Sequence, residues 1–243
     1  VHLISGNGNA AKGEACIVNW ANFIAGGTGR TDSHPCIDPV IAKFCIRLND
    51  ASLFAEFRDD LKAYATRILN TNDGRALSVQ RAYLAADRAL RVFVPKWLDL
   101  CAEIGPEDRR AQAAKWAKEL RAIAPVIDKE TAEAGRAVAL KGKAAAAYAA
   151  DAAAYAAYAA DAAYAADAAD AAAAYADDAA ADDAADAADA AAAAAYAAAA
   201  AAAYAAAAYA ARSMPGFSRE MFDECKLLLD DMLALKMEAA ANG

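Results

Sequence analysis

Three observations predict an all-α protein. Apolar residues recur at helical spacing through roughly the first 125 residues, Asp, Gly and Pro punctuate them where helices start and stop, and alanine dominates everything from Ala144 to Ala211. The predicted architecture is an N-terminal helical bundle (residues 1–143), a long Ala-rich helix or helical hairpin (144–212), and a C-terminal amphipathic helix within 213–243.

The Gly/Asn-rich start, Ser5 to Asn9, reads as a leader that frays. A first helix from Gly13 to Ala25 ends at Gly26-Gly27, and a polar loop follows from Thr28 to Pro35. Asp38-Pro39 opens a second helix over Pro39–Leu48. Asp accepts from the free backbone N–H groups of the first turn, and Pro at the first helical position loses no hydrogen bond. Leu53, Phe54, Phe57, Leu61, Tyr64, Ile68 and Leu69 form the stripe of a third helix, stopped by Asn70-Thr71-Asn72-Asp73-Gly74. A fourth carries Leu77, Tyr83, Leu84, Leu90, Val94, Leu98 and Cys101, with Pro95 set to kink or split it. Gly105-Pro106 separates it from a fifth, where Trp116, Leu120 and Ile123 continue the core as far as Pro125.

The tract from Ala144 to Ala211 holds 68 residues: 50 Ala, 10 Asp and 8 Tyr. Tyr155, Tyr158, Asp161, Tyr164, Asp167 and Asp170 follow a period of three. On a helix of about 3.6 residues per turn, each such step turns the marked position back by about 60°, so no lasting stripe forms. Helix is still expected, because alanine has the best intrinsic propensity and the tract contains neither Gly nor Pro. As one rod it would measure roughly 100 Å. As a hairpin it would turn near residues 176–184, where Asp177, Asp178, Asp182, Asp183, Asp186 and Asp189 set like charges three and four residues apart. Slippage of a nine-base unit accounts for the period without any function.

Beyond the tract, Ser218 is placed to cap a helix bearing Met221, Phe222, Cys225, Leu228, Leu229, Met232, Leu233 and Leu235. That face is too apolar to stay solvated. It either docks on the head, folding the tract back, or pairs with a second copy through Leu228, Met232 and Leu235.

The net charge of -8 belongs to the tract. Setting its ten aspartates aside leaves 23 of the 33 acidic residues against 25 basic ones. With no basic patch, nucleic acid is not an expected partner. The aspartates also rule the tract out as a membrane span, each costing roughly 3 kcal/mol at mid-bilayer. No stretch reads as a signal peptide, so a cytoplasmic protein is expected. Aspartates scattered around a helix do not build the oxygen cage that calcium takes.

Five cysteines without a CxxC pair read as reduced thiols. His34, Cys36 and Cys45 are the candidate metal ligands, with Cys16 upstream, although their spacing matches no zinc pattern. Otherwise Cys45 and Cys101 are small core residues. Gly6-x-Gly8 lacks the strand and third glycine of a dinucleotide loop. Gly26-Gly27-Thr28-Gly29-Arg30 reads as a helix-ending loop before an anion nest. Asp87, Arg88 and Arg91 read as an ion pair. No catalytic residue and no cofactor site emerge.

The run His34-Pro35-Cys36-Ile37-Asp38-Pro39-Val40-Ile41, followed by Phe44 and Asn49-Asp50, belongs to a recognisable pattern. So does Gln80-Arg81-Ala82 through Arg91 to Pro95-Lys96-Trp97-Leu98. Together they make residues 14–101 resemble uncharacterised alanine-rich helical proteins of phages and high-GC bacteria. The resemblance implies a helical fold and brings no catalytic residues. In composition alone the tract is similar to the helical fish antifreeze proteins, but it has no Thr and no flat, regularly spaced face.

The expected function is therefore a non-enzymatic structural or protein-interaction role. The tract serves as a helical spacer or oligomerisation element, with a protein partner or self-association implied. An ice-binding helix and an enzyme or metal site near His34 are the alternatives. Neutralising the aspartates at pH 3, below their ordinary pKa of about 3.9, should preserve or raise helicity in an isolated tract peptide. Loss of its helical circular dichroism while it stays soluble would contradict the helical reading.

Overall fold

The computed structural model describes residues 1–6, 8–29, 34–51, 54–104, 107–147 and 215–235, and over these the chain is helical apart from two short strands. The question of rod or hairpin, the antifreeze-like tract beyond Ala147 and the Gly105-Pro106 junction lie outside the described residues.

The N-terminus corrects the expectation of a frayed leader. Strand β1 (His2–Leu3) pairs in parallel with β2 (Glu14–Ala15). The segment between is held by side chains from far along the sequence. The Gly6 N–H donates to Asp50 Oδ1 (2.8 Å), Asn49 Nδ2 donates to the Ile4 carbonyl (2.7 Å), and the Leu3 N–H donates to Asp59 Oδ1 (2.9 Å). At Gly8 a Cβ would lie 2.5 Å from the Glu14 carbonyl oxygen, so the close approach there needs glycine.

Because Glu14 and Ala15 are taken up in β2, the first helix begins later than the sequence predicts. Helix α1 spans Ile17–Ile24, with the Cys16 sulfur accepting from the Asn19 N–H. It ends where expected, in a Schellman closure: Gly27 N–H to Asn22 O, Gly26 N–H to Phe23 O, and Gly26 at φ 86°. Helix α2 spans Pro39–Asp50. Asp38 caps it through Oδ1, which accepts from Val40 N–H (2.9 Å) and Ile41 N–H (3.1 Å).

The predicted third helix is instead wound more tightly. Phe57 bonds back to Phe54, Asp60 to Phe57 and Arg67 to Tyr64, all three residues apart, around a 3-10 helix at Arg58–Tyr64. Phe54, Leu61, Tyr64 and Ile68 of the predicted stripe are nevertheless buried, because residues three apart share a face in either winding and an α-type bond from the Ile68 N–H to the Tyr64 carbonyl (3.0 Å) carries the last, four-residue step. Asn70 then takes a left-handed φ of 56°, turning the chain into the predicted stop.

Helix α3 (Arg75–Arg88), a π turn (Ala89–Phe93) and helix α4 (Val94–Ile104) form one continuous helical run. Pro95, expected to kink or split it, leaves the run unbroken, with the π turn just before it. It has no N–H to offer the Arg91 carbonyl, and just before it the Val94 N–H reaches back five residues to the Ala89 carbonyl. Helix α5 (Glu107–Arg121) lies along α4. Helix α6 (Lys129–Ala147) was not foreseen from the sequence. Asp128 and Thr131 cap it reciprocally, Thr131 N–H to Asp128 Oδ1 (2.9 Å) and Asp128 N–H to Thr131 Oγ1 (3.1 Å), and it buries Ala132 and Ala139.

The last helix, α7 (Pro215–Ala234), docks on the head, which decides between the two fates its apolar face left open. Met221, Phe222, Cys225, Leu228, Leu229 and Met232 are fully buried in the same core as Phe54, Leu61 and Ile68. Phe222 sits between Phe54 and Phe57, with ring centroids 5.4 and 5.6 Å away.

Asp59 anchors β1 electrostatically. Burial raises its pKa, but hydrogen bonds from Lys62, the Leu3 N–H and His2 outweigh that and hold it at about 2. A depressed folded-state pKa stabilises the fold above the unfolded value and is lost as pH falls through the folded one. The melting-temperature gap between wild type and Asp59→Asn should therefore be constant from pH 7 to 5 and shrink from about pH 4 down to about pH 2. Thermal melts by circular dichroism across that range check it.

Candidate functional site

The chemistry-bearing residues concentrate where α7 meets the head, and their centre is Arg81. Its side chain is 1 % exposed and that of Asp38 is 0 % exposed, so this ion pair has no water to screen or solvate it. Arg81 Nη1 donates to Asp38 Oδ2 (2.8 Å) and to the Thr71 carbonyl (2.7 Å). Its Nε donates to the Met232 carbonyl (3.0 Å) and its Nη2 to the Leu235 carbonyl (3.2 Å), both at the end of α7. One guanidinium thus joins the start of α2, the loop before α3 and the C-terminus of α7.

Every nearby polar group contributes. Asp38 Oδ2 also accepts from Ser78 Oγ (2.6 Å), one turn before Arg81 on α3. Thr71 Oγ1 accepts from the Asp38 N–H (3.0 Å) and donates to the Ile68 carbonyl (2.7 Å). Sequence reasoning found Asp38 only as a helix cap and did not single out Arg81 as buried. The available signal was Ser78 and Arg81 at helical spacing on the face that carries Leu77 and Ala85 to the core.

Ion pairs rim the docked helix. Asp230 accepts from Tyr64 Oη (3.1 Å) and pairs with Arg67 (2.8 Å); Arg88 pairs with Asp231, and Arg219 with Asp60 (3.0 Å). Burial and then the Asp230 carboxylate push the Tyr64 phenol up to about 12, although Arg67 opposes them. Of the predicted trio, Asp87 and Arg91 pair at 2.9 Å while Arg88 serves α7 instead.

An open groove of about 710 Å³ runs along this seam, lined by Arg91, Lys96, Asp99, Leu100, Arg121 and Phe217 among others. Its cations are already matched: Lys96 by Glu220 and Glu224, Arg121 by Asp99, Arg91 by Asp87. Burial alone would lower the Lys96 pKa, but the two glutamates outweigh it and raise it. The groove has the character of a salt-bridged seam between helices.

Of the candidate metal ligands, the structure brings His34 and Cys36 together, with His34 Nδ1 and Cys36 Sγ 2.9 Å apart. Cys45 does not join them. It is buried inside α2, and no group of three or more His, Cys, Asp or Glu that could hold a metal occurs among the described residues. Burial, then the neighbouring Cys16, pushes its thiol well above the ordinary range. In the Gly26–Gly29 loop the N–H groups of Gly27 and Gly29 are spent on the backbone and side chain of Asn22. No helix among the described residues is long and apolar enough to cross a membrane. No protein family matches the chain, and no curated protein or solved structure does either.

Replacing Arg81 by Met should cost about 3–5 kcal/mol in urea unfolding, because Asp38 is left buried without its cation. Adding Asp38→Asn should recover part of that loss, and the double-mutant cycle measures the coupling. A cost below about 1 kcal/mol for Arg81→Met would mean the pair is not insulated from water.

Proposed function

We propose that this chain is a non-enzymatic structural or protein-interaction protein, with the Ala/Asp/Tyr tract as its helical spacer or oligomerisation element. The observation that carries this reading is the clasp. With α7 buried on the head and its last carbonyls held by Arg81, the tract connects α6 and α7, two helices of one packed body. The head then acts as a base that grips both ends.

The apolar face of α7 supports assigning self-association to the tract. Leu228 and Met232, the residues suited to a coiled-coil seam, are consumed by the head. Kinship over residues 14–101 with alanine-rich helical proteins of phages and high-GC bacteria belongs to the same proposal. So does a cytoplasmic setting, supported by Cys36, Cys45 and Cys225, which form no disulfide.

Sedimentation of the full chain, beside one whose residues 148–214 are replaced by a Gly/Ser linker of about 30 residues with a reach of roughly 30 Å, tests the reading. The full chain should associate with rising concentration. The shortened chain should stay monomeric and unfold at the same urea concentration. A full chain that stays monomeric, with a head that loses stability when shortened, would overturn it.

A further inference from the structure

The described thiols fall into two kinds. Cys16, Cys45 and Cys225 are buried in the core, while Cys36 lies half-buried in the turn before α2. Burial raises the pKa of Cys225, with Glu224 adding to it, and of Cys45, with Cys16 adding to it, and such thiols are poor nucleophiles.

Cys36 has a different setting. The turn from His34 to Ile37 is closed by the Ile37 N–H bonding to the His34 carbonyl (2.9 Å). It brings the imidazole over the thiol, with Nδ1 2.9 Å from Sγ, and the Cys36 N–H donates to the same Nδ1 (3.3 Å). A backbone N–H can only donate, so Nδ1 presents its lone pair to the turn, and the sulfur contact is an S–H donating to a base. The arrangement is braced from behind. The Cys36 carbonyl accepts from the Thr71 N–H (2.9 Å) and the Asn72 N–H (3.2 Å), and Asn72 Nδ2 donates to the Pro35 carbonyl (2.9 Å). The charged side chains of the two segments joined here, Asp38 and Asp73, both face Arg81.

The donors at this turn also select the chemistry. The Cys36 N–H is committed to Nδ1, and the Thr71 and Asn72 N–H groups to the Cys36 carbonyl. None of these three is left to stabilise the oxyanion that attack on a carbonyl would create. Exchange with a disulfide needs no oxyanion hole, since the charge passes from sulfur to sulfur.

We propose that Cys36 is a nucleophilic thiol with His34 as its base, and that it reacts with low-molecular-weight disulfides to form a mixed disulfide. His34 Nδ1 takes the Sγ proton, and the thiolate attacks one sulfur of R–S–S–R. The bond from Sγ to that sulfur forms as the original S–S bond breaks. The departing thiolate takes the proton from the imidazolium and leaves as R–SH. Cys36 is oxidised to the mixed disulfide, one half of the reagent is reduced to thiol, and a second thiol reverses the step.

The test follows the reaction of the reduced full chain with dipyridyl disulfide at pH 6, with the modified thiol located by peptide mass. A fast phase should label Cys36 and vanish in Cys36→Ser. His34→Asn should slow it by at least about 10-fold, and the gap should close above about pH 9, where an ordinary thiol ionises without help. The native chain should also outpace its own urea-unfolded form at Cys36, a comparison that needs no variant. Equal rates at Cys36 in wild type and His34→Asn at every pH, no advantage of the native chain, or a fast phase that survives Cys36→Ser would each overturn the proposal.

Discussion

The rest of the fold depends on a guanidinium that has been taken out of water. Burying a charge of that size costs several kcal/mol even after the protein relaxes, and it is tolerated only when geometry and hydrogen bonds restore what solvation gave. Arg81 meets that condition with one carboxylate and three carbonyls, all between 2.7 and 3.2 Å away. The partners are not interchangeable. Asp38 sits at the start of α2, where the exposed N–H groups favour an anion, and Met232 and Leu235 lie at the end of α7, where the free carbonyls favour a cation. The pair therefore caps two helices at once and ties their opposite ends together.

This linkage accounts for how α7, separated from Arg81 by some 150 residues of chain, finds one register on the head. An apolar stripe alone is weakly selective, since hydrophobic burial is non-directional and a helix sliding by one turn would rebury much the same area. Polar contacts that cost energy when broken supply the missing selectivity. If α7 were displaced by a turn, Arg81 would lose the carbonyls of Met232 and Leu235, and Asp230 would lose Tyr64 and Arg67.

Local signals were legible in the sequence, and long-range ones were not. Asp38-Pro39 and Gly26 act through neighbours a few residues away, so their effects on α2 and on the end of α1 could be read directly, whereas Pro95 marks an irregularity in the helix without telling a π turn from a kink or a break. Asn49 looks like any polar residue near a helix end, yet it is fully buried because it serves Ile4 and Ile17. The stripe from Phe54 to Ile68 identifies the buried face but cannot tell a 3-10 from an α winding, because both keep three-residue neighbours together. Helix α6 was missed because its buried residues are Ala132, Gly135 and Ala139, which offer little contrast with the tract that follows. At the candidate site, Asp38 and the proximity of His34 to Cys36 lie within a few residues of one another. Arg81 is defined by partners that only the folded chain supplies.

The clasp also explains why so unusual a tract can sit between α6 and α7 without unfolding what lies on either side. Once both ends are held, the cost of a longer excursion grows only with the logarithm of its length. In the flexible-chain limit, going from about 30 to about 70 residues adds about 0.8 kcal/mol. Breaking the Arg81 pair costs several times that amount. The head is therefore nearly indifferent to how many residues intervene, and repeat expansion at this point meets little resistance from folding. What limits the tract must be its own solubility and whatever it touches. Alanine alone would leave a long apolar surface, and ten aspartates between Asp151 and Asp189 supply the charge that opposes indiscriminate association.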